Sequence, residues 1–333
     1  MNHRSVFLVV SLMLLIARGT TAEPPSAPDK SPHKRRFVTV DKHVRLEVLD
    51  WGGSGRALVF LAGLGDTAHV FDAFAPEFTA DHHVYGITRR GFGRSSKPAP
   101  TTENYLADRL GDDVLAVIDA LKMTRPVLAG HSIAGEELSS IGSRHPEKVS
   151  GLIYLDAHGP SAFYDPAQGN YGVDMAELLR RLNQLSEPSP ELDQARLREL
   201  LQSNLLQRFE AQARTVLKIL EDTPPPTDAP ARRADPSAPY RYAINRGQQI
   251  YTDIKGPILA IMALPHDYEK DPLPADKATT DFNVAYETAH ADAFQAALPS
   301  ARVVRLPYAN HYVFRSNPVD VHREMMSFMA TLR

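Results

Sequence analysis

Apolar positions along the chain gather into eight short runs. In residues 37–40 and 44–48 apolar and polar side chains alternate, the period of a strand with one covered face, and Asp41-Lys42 supplies a turn between them. The remaining six runs, at residues 57–61, 84–87, 127–129, 152–155, 258–262 and 303–306, are continuous or nearly so, with Arg305 the one polar interruption in the last. Continuous runs of this length predict strands buried on both faces. Helical spacing lies between them. Residues 104–122 place Leu106, Leu110, Val114, Val117, Ile118 and Leu121 on one stripe, and Asn317-Pro318 opens a last helix carrying Val321, Met325 and Phe328 on one side. Strands alternating with helices predict an α/β protein whose mostly parallel sheet is covered on both faces. Right-handed crossovers then gather the strand C-termini on one edge, where ligands bind.

One region breaks the alternation. From about residue 159 to 254 no strand pattern occurs. An earlier helix carries Met175, Leu178, Leu179 and Leu182. Ser189-Pro190 then reads as an N-cap with proline in the first helical position, followed by apolar residues from Leu192 to Leu220. Six prolines between Pro224 and Pro239 predict a loop. The block reads as a helical cap inserted into the α/β core. At the other end, Met1 to Arg4 is short and basic, an apolar stretch runs from Ser5 to Ala17, and Thr20-Thr21-Ala22 ends small. That is the pattern of a secretory signal peptide, and the apolar stretch is too short for a membrane span. The expected organisation is a signal peptide over 1–22, a tether over 23–36, core over 37–158, cap over 159–254 and core again over 255–333. Export to the periplasm or the medium, with no stable membrane anchor after cleavage, follows as an expectation.

Removing residues 1–22 takes away Arg4 and Arg18 and no acid, which moves the net charge from −3 to −5. A mildly acidic chain gives no electrostatic reason to expect a nucleic-acid partner. The Lys34-Arg35-Arg36 cluster reads as part of the solvated tether. With no cysteine in the chain, disulfides, thiolate catalysis and cysteine metal sites are excluded. None of the thirteen histidines forms a pair with zinc-site context, so no metal is expected.

The candidate chemistry starts at Gly130-His131-Ser132-Ile133-Ala134, between the strand at 127–129 and a helix-forming stretch. A serine nucleophile on a tight strand-to-helix turn needs small residues two positions before and after it, and Gly130 and Ala134 both meet that demand. A serine hydroxyl needs a base. His311, in the loop after the last strand, comes to the same sheet edge and can take and return the proton. The base needs an acid to fix its tautomer. Asp267, after the strand at 258–262, is the expected acid and Asp156, after the strand at 152–155, the alternative. The backbone N–H groups of Ile133 and of Leu64, in the loop Ala62-Gly63-Leu64-Gly65, are candidate oxyanion donors. Glu136 and Glu137 suit the positive end of a helix dipole. Glu136 also stands where it could reach a pocket and select against anionic acyl groups, and Phe163, Tyr164 and Tyr171 at the start of the cap are candidate pocket residues.

The order of Leu61-Ala62-Gly63-Leu64-Gly65, Arg90-Gly91-Phe92-Gly93-Arg94-Ser95, Gly130-His131-Ser132-Ile133-Ala134, Asp267 and Asn310-His311 resembles the α/β-hydrolase superfamily, in its cap-bearing esterase, lipase and aminopeptidase-like branch. The resemblance runs from about residue 37 to the C-terminus. It implies an eight-stranded, mostly parallel sheet, a Ser–His–acid triad and no cofactor. The serine also sets the chain apart from the dehalogenases and epoxide hydrolases of that superfamily, which use an aspartate there. Ala62 stands where the family often has histidine before the glycine, and Thr88 where an acid often precedes Arg-Gly-x-Gly-x-Ser. The function expected is hydrolysis of a small-molecule carboxylic ester, or less readily an amide or lactone, through an acyl-enzyme. Peptidase or perhydrolase chemistry at the same site, and a non-catalytic ligand-binding protein on the same scaffold, are the alternatives.

Overall fold

A computed structural model describes residues 33–157, 159, 162–185, 190–222, 235–267 and 277–332. The expected signal peptide at 1–22 lies outside the described residues, as does the tether up to residue 32. Among the described residues no helix is long and apolar enough to cross a membrane.

The eight runs form eight strands of one sheet: β1 (Lys34–Asp41), β2 (Val44–Gly52), β3 (Ala57–Leu61), β4 (His83–Thr88), β5 (Val127–His131), β6 (Gly151–Leu155), β7 (Ile258–Ala263) and β8 (Arg302–Leu306). Their spatial order is β1-β2-β4-β3-β5-β6-β7-β8. The alternating pair at the N-terminal edge is antiparallel, and every pairing from β3 to β8 is parallel. β1 begins earlier than its apolar pattern, because the basic cluster assigned to the tether is strand. Arg35 pairs with Glu47 at 2.9 Å and Arg36 with Asp50 at 2.9 Å, so acids on β2 draw the basic residues into the ladder.

Successive strand residues point to opposite faces, and the core divides accordingly. On one face Val59, Leu61, Leu128, Tyr154 and Met262 pack with the helices α1 (Ala107–Ala120) and α2 (Gly135–Arg144). On the other, Phe60, Ile153 and Ile261 meet a group of rings that includes Phe71, Phe74, Phe78 and Phe314.

The cap is helical, as its pattern predicts, but divided differently. α3 (Tyr171–Leu185) is followed by α4 (Pro190–Gln202) and α5 (Leu205–Asp222), with Ser203-Asn204 between the last two. There the Ser203 hydroxyl donates to the Leu200 carbonyl at 2.7 Å, a local bond that competes with the helix ladder. A further helix, α6 (Ala238–Arg246), begins within the proline-rich stretch read as loop, with Pro239 in its first turn. The long helix α7 (Lys277–Ala297) between β7 and β8 was not evident from sequence. Its middle is rich in alanine and threonine and has few large apolar residues to mark a stripe. The chain closes with α8 (Val313–Ser316) and α9 (Pro318–Met329).

Candidate active site

Strand register puts the chemistry in one place. His131, the last residue of β5, pairs with Leu155, the last of β6, and Leu155 pairs with Ile261 on β7. Ser132 and Asp156 therefore leave adjacent strands at the same level. Ser132 turns there with φ +55°, a left-handed conformation that costs a non-glycine residue about 1–3 kcal/mol. The turn is held by close packing. A Cβ on Gly130 would sit 3.0 Å from Leu138 and 3.1 Å from the Ala134 methyl, so both positions must be small. The glycine displaced by one place also has a task, since a Cβ on Gly135 would lie 2.5 Å from the Ala157 carbonyl oxygen. That close approach fastens α2 to the end of β6.

The Ser132 Oγ lies 2.9 Å from His311 Nε2, and His311 Nδ1 lies 2.7 Å from Asp156 Oδ2. Asp156 also has φ +48°, which aspartate tolerates better than most residues, and its Oδ1 accepts from the Ala263 N–H at 2.9 Å. Both carboxylate oxygens are thus engaged. A carboxylate only accepts, so the proton of the His311 ring sits on Nδ1 and is directed at Asp156. The acid beside the base is therefore Asp156 and not the expected Asp267. Register gives the reason: Asp156 is level with Met262, and Asp267 lies five residues further along, after the chain has left β7. Asp267 acts on the same loop through its main chain. Its N–H donates to the Ala309 carbonyl at 2.9 Å, Leu264 N–H donates to Leu306 and Tyr308 N–H to Pro265, so the two segments stay paired beyond the sheet and hold the His311 loop.

His131 supports the same loop from beneath. It is fully buried, its ring centre is 4.6 Å from that of His311, and its Nε2 lies 2.9 Å from the His311 carbonyl oxygen. A carbonyl only accepts, so the Nε2 of His131 carries the proton and the ring is neutral. Burial, helped by any charge on His311, pushes its pKa down to about 3. The ring also explains a glycine: a Cβ on Gly63 would lie 2.8 Å from His131 Nδ1.

The loop that carries Leu64 is braced by a residue the sequence reading did not single out. Arg89 donates to the Ala62 carbonyl at 2.9 Å and the Gly63 carbonyl at 3.3 Å, and pairs with Glu137 on α2. Its neighbour Arg90 forms a two-pronged pair with Asp113, each bond 2.6 Å. Thr88, where an acid often stands, receives the Ala68 N–H and donates to Glu47, a structural replacement. Leu64 and Ile133 share one apolar cluster with Phe92 and with Tyr240, Ala243 and Ile244 of α6. The cap helix thus packs in the same apolar cluster as the side chains of the two residues whose N–H groups are the candidate oxyanion donors.

The remaining candidates fall elsewhere. Glu136 is almost wholly buried on α2, and burial, then the neighbouring Glu137 carboxylate, pushes its pKa well up. Both effects favour the neutral carboxyl, against the charge filter expected of it. Phe163 belongs to the core beside Phe294, and Tyr164 donates its hydroxyl to Asp174. Tyr171 stacks on Phe209 with ring centres 5.5 Å apart. These three join cap to core and cap helix to cap helix. Among the described residues, His33, His69 and Asp72 are a group whose donor atoms could converge on a cation. The chain from Ser132 through His311 to Asp156 does not include it.

A family model described as "Alpha/beta hydrolase family" matches residues 58–324. The chain belongs to the alpha/beta hydrolase family. Curated relatives include the AB hydrolase superfamily protein YisY of Bacillus subtilis (strain 168), 32% identical over 152 residues, which are 43% of this chain and 55% of that protein. A fluoroacetate dehalogenase of Burkholderia sp is 34% identical over 107 residues, 32% of this chain and 35% of that one. The chain thus matches about half or less of the length of these two relatives. Among solved structures, E-2-(acetamidomethylene)succinate hydrolase superposes with a TM-score of 0.54 at 20% identity, covering 90% of this chain and 100% of that one, a likeness of fold.

Proposed function

We propose that the chain is an exported serine hydrolase that cleaves carboxylic esters through an acyl-enzyme. The observation that carries the reading is the continuous hydrogen-bonded line from Ser132 Oγ through both nitrogens of His311 to Asp156. In this reading Ser132 Oγ attacks the ester carbonyl carbon while His311 Nε2 takes its proton. The oxygen that becomes negative is held by the N–H groups of Ile133 and Leu64. Asp156 keeps the imidazole proton on Nδ1 and stabilises the imidazolium. His311 then protonates the departing alkoxide, leaving the acyl group on Ser132. A water molecule, deprotonated by His311, attacks the acyl carbon; the acid product leaves and Ser132 regains its proton. A serine rather than a carboxylate at this turn favours acyl transfer over the dehalogenase and epoxide-opening chemistries of related proteins. The half-exposed His311, at 40%, against a 7% exposed Asp156 suits a base that meets substrate and an acid that does not.

Turnover of 4-nitrophenyl acetate and 4-nitrophenyl butyrate tests the reading. Burst release of nitrophenol by the mature chain, and loss of at least a thousandfold in kcat for Ser132→Ala, are expected. Equal turnover by the two proteins would overturn the nucleophile assignment.

A further inference from the structure

Arg241 lies in α6, the cap helix whose Tyr240, Ala243 and Ile244 pack with Leu64 and Ile133. The side chain reaches the Leu64 loop. A Cβ on Gly65, the residue after Leu64, would lie 3.3 Å from Arg241 Nη1 and 3.6 Å from Cζ. With φ +94°, Gly65 holds a conformation that suits glycine and leaves space for the guanidinium beside the loop.

The pairing of this guanidinium is unlike that of the two other arginines buried near the loop. Arg90 has both prongs on Asp113, and Arg89 has Glu137 and two carbonyls. Arg241 is 9% exposed, yet among the described residues its charged partner is the exposed Asp235 at 3.6 Å, beyond hydrogen-bond reach. Nearby acids have other work: Asp156 serves His311 and the Ala263 N–H, Asp66 accepts from Tyr312, and Glu137 holds Arg89. Among the described residues no acceptor lies within hydrogen-bond reach of the guanidinium and its nitrogens stay open to solvent, so its donors are free to take a ligand, and a carboxylate matches their fork with two parallel bonds. Consecutive Cα atoms are about 3.8 Å apart, so the cation stands one residue from the Leu64 N–H.

We propose that Arg241 is a substrate-binding residue that holds a free carboxylate, so that the substrates are half-esters whose acid group lies a short chain away from the scissile carbonyl. This rests on the ester-hydrolase reading, with the Leu64 N–H marking the position of the carbonyl oxygen. The cation orients the acyl chain under α6 and draws anionic esters to the site.

The test compares kcat/KM by pH-stat for monoethyl succinate, glutarate and adipate against ethyl pentanoate. The expected result is that one of the half-esters exceeds the neutral ester by tenfold or more, that Arg241→Gln lowers this ratio at least tenfold, and that Arg241→Lys restores part of it. A ratio unchanged in Arg241→Gln would overturn the proposal, as would a wild type that favours ethyl pentanoate over every half-ester. A second measurement covers a variant that does not fold: calorimetric binding of glutarate and of glutaramide to Ser132→Ala with Arg241 intact. Tighter binding of glutarate supports the carboxylate site and equal binding refutes it. Both results stand whether or not any ester is turned over, so failure of the ester reading is separable from failure of this one.

Discussion

At the residue scale, His311 and Ser132 were legible because only their strand-end positions mattered. The acid was not. Two aspartates follow neighbouring strands, and the choice rests on register and on how far the chain runs past β7, which hydrophobic pattern does not report. Asp156→Asn is expected to lower kcat by roughly 10³–10⁴, as an imidazole loses the partner that fixes its tautomer, with a loss at least a hundredfold smaller for Asp267→Asn. Steady-state kinetics on the two variants decides it. Two buried titratable groups set opposite pH slopes. His131, held near 3, takes up fewer protons folded than unfolded, so it withdraws stability as pH falls from about 6.5 towards 3. The withdrawal reaches roughly 3–5 kcal/mol at the acid end. Glu136 is shifted the other way, so the folded state binds more protons and stability declines as pH rises above the ordinary carboxyl value. Glu136→Gln is therefore expected to raise the melting temperature more at pH 9 than at pH 5, and a pH-independent difference would remove the assignment of Glu136 as a buried acid.

At the element scale, the eight strands were legible because six of them carry the continuous apolar signature of a sheet covered on both sides. The cap helices were legible only as a block. Ser203 breaks a run that looks continuous, Pro239 starts a helix where prolines suggested loop, and α7 lacks a sharp stripe. The nucleophile turn shows sequence and packing agreeing in an unexpected way. The family pattern asks for a small residue at Ala134, which is met there, while Gly135 answers a separate contact with Ala157. Gly135→Ala is expected to destabilise the protein by about 1–3 kcal/mol in urea unfolding, because the added methyl meets a backbone oxygen rather than a yielding side chain. Gly130→Ala meets the Leu138 side chain at 3.0 Å and the Ala134 methyl at 3.1 Å, longer approaches than the 2.5 Å to a backbone oxygen at Gly135, and is expected to cost less. The reverse order would mean that α2 is not fastened to β6 through Gly135.

At the scale of the whole molecule, core and cap meet over the loop that carries Leu64. Arg89 fixes that loop from the α2 side, His131 supports it from below, and α6 covers it from the cap. None of these three could be read from local pattern, since each joins segments far apart in sequence. What the sequence does carry is the order of motifs, and that order is enough to place the chain in its family. The most direct measurement is labelling of the intact chain with a fluorophosphonate, followed by peptide mass spectrometry. A single adduct on Ser132, absent from Ser132→Ala and formed far more slowly by His311→Ala, is the expected result. An adduct on another residue, or labelling that persists in Ser132→Ala, would contradict the Ser132–His311–Asp156 account.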